Sequence, residues 1–234
     1  MTTKFHDRKE AGLLLADKLK LYIKNAFSSE VKKESFIVMA IPRGGVILGD
    51  IVASELNVDL DIIICKKIGA ENNPELAIGA VMADGSYIIN EDIVNRINIS
   101  LGYISKQVEL QKHEIERRLM EFRGNKEYHN KLKDKTIILI DDGIATGATI
   151  LAAVKWLKEK RFSKKLIVAV PVAPLESSIL DKLNQIADKV IVIFSPYDFA
   201  AVGQFYEHFD QVSDKEIKEI MKKYDGFNSS QVIT

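Results

Sequence analysis

The sequence predicts an α/β chain built on a five-stranded parallel sheet with helices on both faces, carrying a hairpin-plus-helix insertion. Three observations predict it. Five short apolar runs rich in Ile and Val, residues 36–41, 60–65, 136–140, 166–170 and 190–194, have the near-continuous hydrophobicity of strands covered on both faces. Helix-patterned segments at 46–55, 148–160 and 175–184 follow three of these runs, the alternation expected of a doubly wound sheet. The stretch between the second and third runs, residues 66–134, is too long to be only a crossover.

In chain order, residues 7–27 place Leu13, Leu14, Ala16, Leu19, Tyr22, Ile23 and Phe27 at helical spacing, so an amphipathic helix opens the chain and is expected to pack as a cover. The first strand runs into Pro42-Arg43-Gly44-Gly45, a tight turn that opens a helix. Residues 66–79 are punctuated by Gly69, Pro74 and Gly79 and read as a loop, whereas residues 80–90 alternate around Asp84-Gly85 like a hairpin. A long helix is expected over 103–123. Ile104, Val108, Ile115, Leu119 and Phe122 form its apolar stripe, and pairs such as Glu114 with Arg118 support its wet face. The tail from 226 to 234 is polar enough to fray. This organisation is read as one domain over 1–234, with the insertion at about 86–134.

With 234 residues, 47% of them hydrophobic, the chain can bury a sizeable core. Its 33 basic and 33 acidic residues cancel, and no basic run is interleaved with aromatics, so nucleic acid is not an expected partner. The apolar runs are strand-sized, far short of the roughly 20 residues of a membrane-spanning helix. Residues 1–7 turn charged without the apolar stretch of a secretory signal. The lone Cys65 cannot form an internal disulfide, which fits a reducing cytoplasm, and its strand-like surroundings make it a small buried hydrophobe.

The richest chemistry lies after the third run. A strand ends in Asp141-Asp142, followed by Gly143-Ile144-Ala145-Thr146-Gly147-Ala148-Thr149 and a helix. Small residues let backbone N–H groups approach an anion, and the helix N-terminus adds donors and the positive end of its dipole. Thr146 and Thr149 can donate hydroxyl hydrogen bonds to the same phosphate. Asp141 and Asp142 would repel a phosphate and so suit the neutral hydroxyls of an adjoining ribose. Neither the Gly-x-x-x-x-Gly-Lys order of a nucleoside-triphosphate loop nor a Gly-x-Gly-x-x-Gly turn is present.

Four apolar residues, two acids and this Gly/Thr loop, residues 137–149, resemble the phosphoribosyl pyrophosphate motif of the type I phosphoribosyltransferases, in a bacterial-type branch, over about residues 34–210. The resemblance implies that Pro42-Arg43-Gly44-Gly45 binds the leaving pyrophosphate, with Arg43 on its oxygens and a cis peptide between Pro42 and Arg43. It implies a flexible loop at Lys66 to Glu75 that closes over the site. Lys67 is there the first candidate for a catalytic cation and Lys66 the second, against the alternative of a solvated loop. It implies a base-binding hood at about 195–224, in which Phe199 stacks on the base beside Ala200 and Val202; Phe205 or Tyr206 could serve instead, and each of these aromatics could be core.

The implied reaction moves a 5-phosphoribosyl group onto a nitrogen of a nucleobase-like acceptor, in nucleotide salvage. Mg²⁺ would be held mainly by substrate oxygens, with no dedicated protein metal cluster. Ala145 replaces the acid that hypoxanthine-guanine enzymes carry in this loop, and Val170-Pro171-Val172 stands where they carry a lysine. Ala145-Thr146-Gly147 is closer to the adenine enzymes, which argues against 6-oxopurines. The alternative is a non-catalytic regulatory protein that senses phosphoribosyl pyrophosphate, with the insertion as its partner-binding part. A homodimer is an open possibility.

Overall fold

The computed structural model describes residues 4–27, 35–82, 84–126, 128, 132–160 and 163–224; the tail expected to fray lies outside them. Helix α1 (Arg8–Ala26) is capped by Asp7, whose side chain accepts from the N–H groups of Lys9 and Glu10. It is followed by β1 (Phe36–Ala40), α2 (Gly44–Leu56) and β2 (Asp59–Ile62). An excursion then comprises β3 (Cys65–Ala70), β4 (Asn73–Met82), β5 (Tyr87–Ile89), the short α3 (Glu91–Arg96) and the long α4 (Leu101–Arg123). The chain returns through β6 (Lys135–Ile140), α5 (Ala148–Glu159), β7 (Ser163–Val172), α6 (Ser178–Ile186), β8 (Lys189–Phe194) and α7 (Asp214–Lys222).

The main sheet has five strands in the order β2-β1-β6-β7-β8, and every pairing is parallel, as the apolar runs predict. Side chains alternate across it. Val38, Ala40, Ile138, Ile140, Ile167 and Ala169 face one core with α1, α2, α4 and α7. Ile37, Met39, Ile137, Leu139, Leu166 and Val168 face the other with α5 and α6. Because β1 leads outward to β2 and β6 leads the opposite way to β7, the topology switches between β1 and β6. Loops after both strands therefore meet at the carboxyl edge, where such sheets hold ligands. The Ile41 N–H donates to Ile140 O at 2.9 Å, which brings the loops alongside each other.

Two expectations change. The apolar run 60–65 is not one strand: Ile63 still donates to Ala40 O, and from Cys65 the chain pairs in a second, antiparallel sheet, β3-β4-β5. Hydrophobicity persists because both sheets bury this passage, so it carries no mark of the change. The region read as a flexible loop, Lys66 to Glu75, is instead strand β3, a turn at Glu71-Asn72 and the start of β4. Its glycines mark close approach rather than breaks: a Cβ at Gly69 would overlap the Pro74 carbonyl, and one at Gly79 the Ile88 carbonyl. The β3-β4 register shifts at Gly69, as at a bulge. The hairpin expected around Asp84-Gly85 is β4-β5, and the expected long helix is α4.

α4 is fastened at both ends. Near its start, the Tyr103 hydroxyl donates to Gly69 O at 2.9 Å. At its end, the buried Arg123 clasps the buried Asp61 of β2 through Nε at 2.6 Å and Nη2 at 2.8 Å. No helix among the described residues is long and apolar enough to cross a membrane.

Candidate active site

The loop after β6 turns into α5 at Gly147, whose φ of 71° lies in the left-handed region and whose missing Cβ leaves room for Ile179. α5 has no side-chain N-cap. None of the backbone N–H groups of residues 145–149 meets an acceptor among the described residues. These donors sit at the positive end of a 12-residue helix. Thr146 is exposed and Thr149 half-buried beside them. Ile144 plays a different part from the one expected: its side chain is in the core and its N–H donates to Val172 O at 2.9 Å. Gly143 is pinched, since a Cβ there would lie 2.6 Å from Val202 and 2.9 Å from Val172.

The two acids diverge, as neighbouring residues in extended chain do. Asp141 Oδ1 accepts the Asp142 N–H at 2.9 Å and borders Gly45, where a Cβ would come within 2.9 Å of Ile140 O. Burial, then the adjacent Asp142, holds the Asp141 carboxyl well above the usual carboxylate range. Asp142 turns the other way: Arg8 Nε and Nη2 each lie 3.0 Å from its Oδ2. Burial raises the Asp142 carboxyl and Arg8 draws it back down. Gly44 is required here, because a Cβ would overlap Asp142 Oδ2. Arg8 also donates to Asp210 O at 2.8 Å and stacks on Phe209 with its guanidinium carbon 3.8 Å from the ring centre.

The peptide joining Pro42 to Arg43 is cis, as the resemblance implies. The Arg43 guanidinium pairs with Asp214, the first residue of α7, at 3.0 Å. Pro42 also lines a cavity of about 210 Å³, together with Cys65, Lys66, Lys67, Arg118 and Thr149 among others. Lys67 pairs with Glu75 across the β3-β4 hairpin at 2.9 Å. Lys66, on the opposite strand face, makes no ion pair among the described residues.

In the segment after β8, the three candidate aromatics separate. Phe205 is wholly buried. Tyr206 is buried too, and its hydroxyl donates to Asp142 O at 2.7 Å. Phe199 is half-buried, with its ring 5.0 Å from that of Phe205. Ala200 is exposed, and its N–H donates to Gln204 Oε1. Val202, like Tyr206, meets the phosphate loop, lying against Gly143.

Arg8 and Arg118 were not legible as site residues. Arg8 reaches Asp142 across 134 residues because Phe5 bridges Tyr206 and draws the start of α1 to the loop, a contact without local signal. Arg118 had a signal: it stands three residues after Ile115 and four before Phe122, on the apolar stripe rather than opposite it.

A doubly wound parallel sheet with an acid-tipped, glycine-bearing loop at its switch point is a ligand-binding class of α/β protein, and the comparisons give the family. The family model of the phosphoribosyl transferase domain matches residues 6–198, and the chain belongs to that family. Two Mycobacterium tuberculosis proteins, from strains CDC 1551 / Oshkosh and ATCC 25618 / H37Rv, provisionally named phosphoribosyl transferases, are each 33% identical over 213 residues. That match covers 91% of this chain and 45% of theirs, so the chain spans about half the length of these relatives. The crystal structure of TT1426 from Thermus thermophilus is 30% identical with a TM-score of 0.75, covering 95% of this chain and 99% of that one.

Proposed function

We propose that the chain transfers the 5-phosphoribosyl group of phosphoribosyl pyrophosphate to a nitrogen of a nucleobase-like acceptor, releasing pyrophosphate, in cytoplasmic nucleotide salvage. The observation that carries this reading is the row of open N–H donors at residues 145–149, set next to a carboxylate, Asp141, that faces away from Arg8. The donors suit the 5-phosphate, with the Thr146 and Thr149 hydroxyls beside them, and Asp141 suits the ribose hydroxyls. The loop Pro42-Arg43-Gly44-Gly45 and the lysines of β3 flank the pyrophosphate end. Bond breaking leaves an oxocarbenium-like sugar and a departing polyanion, so positioning and charge neutralisation do the work. Mg²⁺ bound mainly through substrate oxygens would supply further neutralisation. Phe199, Ala200 and Val202 flank the acceptor; Val172, buried beside Gly143, offers no cation to a 6-oxo group. A nucleobase screen with radiolabelled phosphoribosyl pyrophosphate, following pyrophosphate release, tests transfer and acceptor together. Binding without release for every base overturns the reading in favour of a sensor, and release that no base accelerates overturns it in favour of hydrolysis.

Two outcomes follow from the geometry. In crystals grown with sulfate or phosphate, the anion occupies the donors of residues 145–149, and an empty loop with the anion bound elsewhere contradicts the assignment. Lys67→Ala lowers turnover roughly tenfold while leaving ground-state affinity nearly intact, since a cation at the pyrophosphate end acts on charge that develops in the transition state. Equal losses in both would reduce Lys67 to a binding residue.

A further inference from the structure

We propose that Arg118, carried into the site by the insertion helix α4, binds the leaving pyrophosphate together with Lys66. This rests on the phosphoribosyl transfer reading and adds a residue outside both ligand loops. The cavity bordered by Pro42 and Thr149 lies between the pyrophosphate loop and the first turn of α5, where the far end of the substrate must project. Its walls bring Lys66, Lys67 and Arg118 together. The acids nearby do not balance them: Glu75 holds Lys67 from the surface, and Glu114 is shared between Arg117 and Arg118. Lys66 is left without an ion pair among the described residues, and its ammonium is held below the ordinary lysine range by burial and then by Arg118. Like charges crowded into a half-buried space are unfavourable unless an anion joins them.

Arg118 is equipped to be that partner. Glu114 Oε1 takes its Nε at 2.7 Å, and neither terminal nitrogen meets an acceptor among the described residues. Both are free to fork onto phosphate oxygens without breaking the existing pair. The arm that presents it is firm, because α4 is tied to β3 through Tyr103 and to β2 through Arg123. One of the strands so tied, β3, carries the lysines.

Calorimetry with inorganic pyrophosphate, phosphoribosyl pyrophosphate and ribose 5-phosphate, each with Mg²⁺, tests the proposal on the intact chain. Arg118→Gln is expected to weaken the two pyrophosphate-bearing ligands about tenfold and leave ribose 5-phosphate unchanged. Arg118→Lys should recover part of the loss. Arg117→Gln, which disturbs the same Glu114 from outside the cavity, should change none of the three. Unchanged pyrophosphate affinity in Arg118→Gln overturns the proposal, as does an equal loss for ribose 5-phosphate, which would signal general distortion. If the wild-type chain binds ribose 5-phosphate but neither pyrophosphate ligand, the proposal fails while the phosphate loop stands. If it binds none of the three, the transfer reading falls and takes this one with it.

Discussion

Arg123→Ala is expected to destabilise the chain by about 3–5 kcal/mol, the cost of leaving one member of a buried ion pair without its partner. The side chains of Arg123 and Asp61 are only 3% and 8% exposed, and the contact is two-pronged. Without the guanidinium, Asp61 Oδ1 keeps the Ile62 N–H at 2.7 Å, but the carboxylate's charge has no counterion in place. The Tyr128 ring, 4.7 Å from the guanidinium carbon, also loses its cation. Urea unfolding measures the loss. Replacing both partners, Arg123→Met with Asp61→Leu, should restore much of it, because an apolar pair has no charge to desolvate. A single variant that costs under about 1 kcal/mol would mean the pair behaves as a surface bridge. Since Arg123 ends α4, the single variant should also blunt pyrophosphate affinity through Arg118, whereas the double variant need not.

The sheet and the phosphate loop were legible for the same reason: each is contiguous in sequence. The strands β1, β6 and β7 announce themselves because both faces are buried, the edge strand β8 follows them with both faces partly covered, and residues 137–149 hold strand, acids, glycines, hydroxyls and helix in one run. What could not be read depends on distant chain segments. Nothing near Arg8 indicates that Phe5 will bridge Tyr206 and carry it to Asp142. Gly69, Pro74 and Gly79 suggest a loop by composition, yet Gly69 and Gly79 make room for neighbouring backbone in the β3-β4-β5 sheet. The acids show the limit most clearly: side by side in sequence, they read as one ribose-binding pair, while the tertiary structure gives Asp142 an arginine and Asp141 none.

That division predicts opposite stability effects for two substitutions that look alike. Asp141 has its carboxyl raised in the folded state, by burial and then by Asp142. A carboxyl raised on folding contributes most below its unfolded pKa, and stability is lost as pH rises from that value through the raised one. Asp141→Asn removes this penalty, so its melting temperature should exceed that of the wild type, by a margin that widens as pH climbs from the unfolded value to the raised one and then levels off. Asp142→Asn strips Arg8, only 12% exposed, of its carboxylate and should lower stability at neutral pH. Ligand affinity moves differently. The ionised Asp141 carboxylate accepts ribose hydroxyls through charge-assisted bonds worth roughly 1.5–3 kcal/mol, so Asp141→Asn should weaken phosphoribosyl pyrophosphate binding by about 10- to 150-fold. Wild-type affinity should accordingly rise with pH as Asp141 ionises, and the Asn variant should lose that dependence. Asp142→Asn should also weaken binding, through the hood that Arg8 and Tyr206 hold to the loop as well as through any ribose contact of its own. Thermal melts across pH, paired with calorimetry, read both effects. An Asp141→Asn variant that melts earlier than wild type at neutral pH and binds phosphoribosyl pyrophosphate as well would show that Asp141 is a structural residue and that the ribose must be held elsewhere.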